Sequence, residues 1–551
     1  MSLLKILRST PFVPVLIGGI LMGLTPAPTH LWPLAWIALV PLWVVILSPI
    51  SSENTKFRTM WAVWLGATWG IGYHGLALAW ITGVHPMTWM GVPWLASLAI
   101  ALFCWAFITM WGAILVGGWA WGMVVLHRLF LTPSSNSQSP ETRKFASLRS
   151  LIRVLLGIAL WCGLESLWNQ GALWWTSLSY TQSPNNLIIL HLGRLAGPST
   201  VTAALVAVNG VLAEGWLQGH GEHRAKTWGG LRRGYGIGAI GLLLGFHLLG
   251  FSLYRQPLLS SPETTLRIGI IQGNVPNTIK LYPEGWRRAI EGYTAGYEVL
   301  AMRGVDAVLT PETALPFLWQ EWGSQERSQA PTFYQAVMDR GVTAWVGALG
   351  KRDDRYTNSL FTMTGDGKLL SRYDKAKLVP LGEYIPFESI LGRFIDRLSP
   401  LDAQLAPGSL DQTFETPWGR AIVAICYESA FADLFRRQAA AGGQFILSPS
   451  NDAHYSATMP AQHHAQDVMR AIETDRWAVR AVNTGYSAVV DPHGHTLWKS
   501  QLNTYELHEA TIDRRQTRTL YVQWGDWLTP LLIVLSGMTC FFSREHDHRV
   551  Q

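Results

Sequence analysis

The stretch Trp418 to Ser429, WGRAIVAICYES, decides how the polar part of this chain is put together. Its apolar run, Ala421 to Ile425, stops abruptly on Cys426-Tyr427-Glu428, with a Pro-Trp-Gly turn in front and the helix-like ADLFRRQAAAG behind. A short, β-branched apolar segment flanked in this way is expected to be a buried strand running into a helix. Cys426 then stands at the corner, where a short side chain is presented to a pocket. Free cysteine is more often buried filler than a nucleophile. Cys104, Cys162 and Cys540 fit the filler role, since each lies inside a long apolar segment. Cys426 alone belongs to a polar domain, so the rest of the chain must decide its role.

Composition changes sharply along the chain. With 551 residues it is too long for one ordinary core. Only 15% of residues are charged while 28 are tryptophan, a balance typical of membrane proteins. Residues 1–255 form an expected membrane domain, 266–515 have the composition of an ordinary soluble α/β domain, and 526–543 form a last apolar helix. Cysteines so distributed cannot build a disulfide framework.

A hydrocarbon core of ~30 Å needs about 20 apolar residues per crossing. Segments near 11–27, 31–49, 60–82, 92–127, 151–168, 187–217, 235–254 and 526–543 meet that requirement, giving an expected bundle of eight helices. The first has basic residues Lys5 and Arg8 before it, as a secretory signal does. Thr-Pro-Ala-Pro is no clean cleavage site, however, and a second span follows at once, so the first helix is expected to be retained. Lys56, Arg58, Arg128, Arg143, Lys144, Arg149, Arg224, Lys226, Arg232, Arg233, Arg544 and Arg549 fall on the same side as Lys5 and Arg8. The alternate connections 28–30, 83–91 and 169–186 contain no Lys or Arg. Both termini are therefore expected in the cytoplasm and the polar domain outside it. The net charge of +6 is largely this topogenic excess and gives no reason to invoke nucleic acid. Glu165, Arg194 and His247 fall within or beside spans, where ionisable groups are costly; Glu165 is placed either to snorkel to the interface or to serve a site.

In the polar domain, strands are expected at Leu266–Gln272, Val305–Leu309, Thr343–Leu349, Ser359–Thr364, Leu369–Tyr373, Gln444–Leu447 and Ala488–Asp491, interleaved with helices and two Gly-containing hairpins. That alternation predicts a layered α/β domain. Glu312 follows the second strand, Lys375 the fifth, and Cys426 ends a later one. A thiol must lose its proton to attack, a carboxylate can take it, and an ammonium can hold the negative charge that develops. Glu, Lys and Cys thus make a minimal set for acyl transfer.

The strings LTPETALPF around Glu312, YDKAKLVPLGEYIPFE around Lys375, ICYES around Cys426, SNDAHY from Ser450 and RAIETDRWAVRAVNTGYS from Arg470 resemble the nitrilase (carbon-nitrogen hydrolase) superfamily. Together with the expected spans they resemble its membrane branch, the apolipoprotein N-acyltransferases. The resemblance implies an extracytoplasmic α-β-β-α sandwich on a membrane bundle, in a bacterial cytoplasmic (inner) membrane. It implies transfer of an acyl chain from a phospholipid donor to the N-terminal amine of a diacylglyceryl-modified lipoprotein, through a cysteine thioester; that chemistry requires no metal or organic cofactor, and a monomer is expected. By the same resemblance Glu312 is the general base, Lys375 the oxyanion-stabilising ammonium and Cys426 the nucleophile. Lys375 is preferred over Lys377 only by the family pattern. Glu383, Tyr427, Glu428 and Asn358 become supporting residues. The chain departs from the family at Ala376 or Lys377, where His is common, and at Leu281, where an aromatic is common.

Two apolar stretches are candidates for guiding an acyl chain: the helical stripe Phe387, Ile390, Leu391, Phe394, Ile395 and Leu398, and the group Phe317, Leu318, Trp319 and Trp322. The alternative activity is a membrane-anchored amidase using the same three residues with water as acceptor. A metal site from His454, His463 and His464 is disfavoured, because adjacent helical histidines diverge by about 100°.

Overall fold

A computed structural model describes residues 10–48, 55–131, 140–218, 228–319, 332–385, 404–453 and 455–549. The chain divides into two compact units. One comprises Met1–Ala79, Leu102–Arg255 and Asp526–Gln551, the other Trp80–Ala101 and Gln256–Gly525.

The first unit is helical, and its apolar side chains point outward as well as inward. Phe103, Phe107, Leu248 and Phe541 are all exposed, the reverse of a water-soluble surface. Among the described residues, four helices are long and apolar enough to cross a membrane: Trp94–Phe130, Leu148–Gln170, Pro198–Gln218 and Gly234–Tyr254. Shorter apolar helices occur at Phe12–Gly23, Trp32–Leu47, Leu187–Ala196 and Leu528–Ser543. Proline and glycine account for two interruptions. The 31–49 segment begins as a 3₁₀ turn, Trp32–Trp36, before its α-helix Val40–Leu47, with Pro33 and Pro41 lacking N–H donors. The 187–217 segment breaks at Gly197, whose φ of 73° is left-handed, directly before Pro198. Glu165 does not reach outward. Its buried carboxylate accepts hydrogen bonds from Trp161 Nε1 (3.0 Å), Ser177 Oγ (2.8 Å), Thr202 Oγ1 (3.0 Å) and the Leu178 N–H (2.8 Å), pinning the turn at 177–178 to its own helix.

The second unit is a sandwich of two sheets. The first contains β1 (Thr265–Gln272), β2 (Ala307–Leu309), β3 (Leu315–Leu318), β4 (Thr343–Arg352), β5 (Arg355–Met363) and β6 (Leu369–Asp374). The second contains β7 (Phe414–Thr416), β8 (Gly419–Val423), β9 (Ile446–Ser450), β10 (Ala478–Val482), β11 (Ala488–Val490) and β12 (Thr496–Lys499). The last strand, β13 (Glu506–Asp513), returns to the first sheet, whose order is β13-β1-β2-β4-β5-β6 with β3 beside β4. The second runs β12-β11-β10-β9-β8-β7. Alternation on the strands explains the layering. Leu266, Ile268 and Ile270 of β1 share one buried cluster with Val423 of β8, Leu447 of β9 and Val479 of β10, so the sheets face each other. Ile271 and Val308 point the other way, into a cluster with Tyr297 and Leu300 of helix Pro283–Met302 and Phe333 of helix Thr332–Arg340. Helices Ala432–Ala440 and Thr458–Thr474 pack on the second sheet, completing an α-β-β-α order.

Strands β1, β2 and β4 run parallel, as do β8, β9 and β10. Strand β6 is antiparallel to β5, which is antiparallel to β4, so β6 points the same way as β4. The turns after β2 and β6 therefore lie at one edge of their sheet, and open α/β sheets carry their sites at the carboxyl ends of strands.

Candidate active site

Glu312 stands on the Thr310–Thr313 turn after β2. Thr310 Oγ1 accepts the N–H of Gly347 on β4 at 3.0 Å, tying the turn to the next strand. Gly347 is required there: a Cβ at that position would lie 2.0 Å from the Pro311 carbonyl oxygen. Glu312 is buried, and its Oε1 accepts from Lys375 Nζ at 2.9 Å and from Asn358 Nδ2 at 2.6 Å.

Lys375 begins the segment after β6 and is 1% exposed. Its ammonium lies between two carboxylates, Glu312 and Glu383, the latter at 3.0 Å from Oε2 and 3.1 Å from Oε1. Asn358 on β5 bridges the same pair, since Nδ2 also donates to Glu383 Oε1 at 2.9 Å. Glu383 is itself fixed by the Val379 N–H, 2.8 Å from Oε2. Lys377 goes elsewhere: its ammonium lies over the Phe431 ring, 4.7 Å from the centroid. Of the two lysines, Lys375 is the one that contacts Glu312.

Cys426 occupies the corner after β8, buried, with a left-handed φ of 54°. That conformation is costly for a residue with a side chain and persists only where the surroundings enforce it. Glu428, fully buried two residues on, does much of this. Its Oε2 accepts the Ile425 N–H at 2.7 Å, and its Oε1 accepts the N–H groups of Ala376 (2.6 Å) and Lys377 (3.1 Å). Tyr373 donates its hydroxyl to the same carboxylate at 3.1 Å. One side chain thereby clamps the cysteine corner to the lysine segment. On the other side, His463 Nε2 donates to the Cys426 carbonyl at 2.7 Å. Arg480 Nη2 sits 2.6 Å from Nδ1 of that ring and 3.2 Å from Asp452, and Arg480 Nη1 is 2.8 Å from Asp467, which also accepts from Ser429. Tyr427 is half-buried with its ring edge-on to Phe431.

Burial, followed by the Glu312 carboxylate, pushes the Cys426 thiol well above its ordinary range, while the Lys375 ammonium and the Asn451 N–H oppose the rise. Burial also works against ionised Glu312, but Lys375, Lys280 and Asn358 outweigh it and hold the carboxyl below 4.5. Lys375 is resisted by burial and still raised well above 10.5, chiefly by Glu312 and Glu383. At rest the cluster is a buried Glu312–Lys375–Glu383 ion triad beside a protonated thiol.

Sequence reasoning missed three participants. Lys280, 5% exposed, donates to the Glu312 carbonyl and to Thr313. His463 braces the cysteine, although its sequence suggested only a metal ligand. Tyr455, inside the SNDAHY string, packs edge-on against Trp80, which donates to Gln462 at 3.1 Å. Of the metal set considered from sequence, His454 lies outside the described residues, and His464 Nε2 is 2.9 Å from Thr496 Oγ1. Cys426, Asp452 and His463 offer ligand atoms within 4.8 Å of one another, as do Asp491, His493 and His495. In the first group the Arg480 guanidinium already fills the space with positive charge. Phe317, Leu318 and Trp319 lie on or just beyond β3, whereas Trp322 and the 387–398 stripe lie outside the described residues.

Residues 267–521 match a family model described as carbon-nitrogen hydrolase, and residues 18–211 match one described as the apolipoprotein N-acyltransferase N-terminal domain. A protein from a Nostoc species, named apolipoprotein N-acyltransferase, is 56% identical over 94% of this chain and 96% of its own. The chain belongs to the apolipoprotein N-acyltransferase family. A Synechocystis relative of the same name is 48% identical over 95% of this chain and 98% of its own. Among solved structures, an amidase from Nesterenkonia sp. is 19% identical with a TM-score of 0.36, covering 51% of this chain and 100% of that one. As a member of the apolipoprotein N-acyltransferase family, the chain is an acyltransferase, a bacterial membrane protein with a nitrilase-like α/β domain.

Proposed function

We propose that this enzyme moves a fatty acyl chain from a phospholipid to the α-amine of the diacylglyceryl-cysteine of lipoproteins, by way of a thioester on Cys426. The observation that carries the reading is the ammonium of Lys375, held 2.9 Å from Glu312 on the strand-end turn that faces the nucleophile corner. In the first half-reaction Glu312 takes the thiol proton as the sulfur attacks the ester carbonyl. Lys375 and a backbone N–H hold the tetrahedral oxyanion. Collapse breaks the ester C–O bond, and the lysophospholipid leaves with the proton from Glu312. In the second half-reaction the lipoprotein amine attacks the thioester carbonyl, Glu312 accepts a proton from nitrogen, and the Cys426 thiol is restored with it. A thioester suits this relay because it yields to an amine more readily than the starting ester.

The scheme keeps the thiol protonated until an ester arrives, since the thiol is held high and the carboxyl low. Glu383 and Asn358 keep the ammonium centred, and Glu428 and Tyr427 belong to the nucleophile corner. For topology the reading is eight spans with both termini cytoplasmic, a membrane domain over 1–255, a catalytic domain over 266–515 outside the cytoplasm, and a final helix over 526–543. The distribution of Lys and Arg supports it. The enzyme acts as a monomer in the inner membrane.

The alternative is an amidase with water as second acceptor. Incubation of the purified enzyme with acyl-labelled phospholipid and a diacylglyceryl-cysteinyl peptide separates the two. Label on the peptide amine is the expected result, and label released only as free fatty acid would favour the hydrolase.

A further inference from the structure

Lys280 is a buried cation that the scheme above leaves without a task. It ends the helical turn Asn277–Lys280, and its Nζ donates to the Glu312 carbonyl oxygen at 3.1 Å and to Thr313 Oγ1 at 2.8 Å. Thr313 has a φ of 43°, the left-handed region that a β-branched residue adopts only under constraint. The lysine therefore grips both sides of the strained Glu312–Thr313 peptide. It has little freedom to do otherwise. A Cβ on Gly285 would lie 2.0 Å from the Ile279 carbonyl oxygen and 2.7 Å from Lys280 Cα, so the turn is pressed directly against the start of helix Pro283–Met302.

Charge gives the same residue a second task. Glu312 and Glu383 bring two negative charges to the buried cluster and Lys375 one positive charge. Attack on an ester moves one negative charge from Glu312, which takes the thiol proton, to the substrate oxygen, so a site shielded from water carries its net negative charge through the step. A second ammonium brings the resting site to neutrality. The charged or titratable groups acting on Lys280 are Glu312, on the turn after β2, and Cys426, on the corner after β8.

We propose that Lys280 is a positioning residue for Glu312, fixing the 312–313 turn through its two hydrogen bonds and supplying the second positive charge that acylation of Cys426 requires. Burial lowers the Lys280 ammonium to about 8, against the upward pull of Glu312 and Cys426, so the required charge is lost on the alkaline side. The inference rests on the acyl-transfer reading.

The test uses the full chain in detergent micelles containing phosphatidylethanolamine, with the rate of acyl addition to Cys426 followed by intact mass between about pH 6 and about pH 10. Lys280→Met is expected to slow acylation by about tenfold or more at neutral pH. Lys280→Arg, whose guanidinium stays charged, is expected to retain more of the rate than Lys280→Met. The ratio of the Lys280→Arg rate to that of the unaltered enzyme is expected to climb as pH passes the lysine's titration and to level off near the ratio of the Lys280→Arg rate to the Lys280→Met rate. Dividing by the unaltered rate cancels the thiol's own ionisation, and a merely structural defect lowers the ratio without making it climb. Ratios flat with pH in both variants, or an unaltered rate in Lys280→Met, would overturn the proposal while leaving the acyl-transfer reading in place. Absence of any adduct on the unaltered enzyme overturns that reading and this inference with it.

Discussion

Burial and the neighbouring Glu312 carboxylate hold the Cys426 thiol well above 9, so at neutral pH almost none of it is thiolate. Its alkylation by iodoacetamide in the absence of lipid is therefore expected to be slow, and to speed up about tenfold per pH unit without levelling off below about pH 9. A plateau near neutrality, measured by peptide mass spectrometry, would mean that the thiol ionises alone. The ion cluster beside it makes a second prediction. Lys375→Met leaves Glu312 and Glu383 buried without their cation and is expected to destabilise the domain by about 3–5 kcal/mol at neutral pH. Glu312 is depressed below 4.5 in the native protein, so its contribution to stability is present above 4.5 and lost as pH falls through the native value. The melting-temperature gap between Lys375→Met and the unaltered protein should thus narrow in acid, and a gap independent of pH would contradict the role given to the pair. At this scale the sequence was legible where chemistry interrupts a pattern. Cys426 ends an apolar run, and Glu312 and Lys375 follow strands. Lys280 and His463 were not legible, because their partners lie 33 and 37 positions away and no local pattern separates them from surface residues.

Among the elements, β4 matters most to the site although it contributes no charged group to it. Gly347 lets the Pro311–Glu312 turn lie directly on the strand, and Gly347→Ala would force that turn away. A displacement of about 1 Å costs on the order of a hundredfold in rate. Gly347→Ala is therefore expected to lower single-turnover acylation by about that factor while far-UV circular dichroism is unchanged; an unaltered rate would show that the turn tolerates movement. The buried strands were legible from their apolar runs, as LRIGIIQ for β1 and the run before Cys426 for β8 illustrate. Strand β8 ends at Val423, and Cys426–Ala430 forms a 3₁₀ turn, so the corner is longer than a direct strand-to-helix junction. Strand β13 was hidden because ELHEATID alternates on a partly exposed surface and is fixed by pairing with β1 across the whole domain. Strand β10 was hidden inside a stretch whose arginines resemble a helix face. Arg480 is buried there only because Asp452 and Asp467 are brought to it from elsewhere.

For the whole molecule, hydropathy identified the helical unit, while Pro and Gly determined where its helices break. Which side of the membrane each connection faces is carried by Lys and Arg alone. If the catalytic unit lies outside the cytoplasm, a cysteine introduced at exposed Ser409 is expected to react with a membrane-impermeant maleimide in intact spheroplasts. One at Ser134 should react only after permeabilisation, and the reverse pattern would refute the orientation. That orientation places the thiol on the side where a lipoprotein amine and a phospholipid ester meet. The most direct test of the central claim is mass spectrometry of the purified protein incubated with phospholipid and no acceptor. The account predicts a Cys426 peptide heavier by one acyl chain, discharged on adding a diacylglyceryl-cysteinyl peptide and absent in Cys426→Ala. Turnover without that adduct, or its persistence in Cys426→Ala, would contradict it.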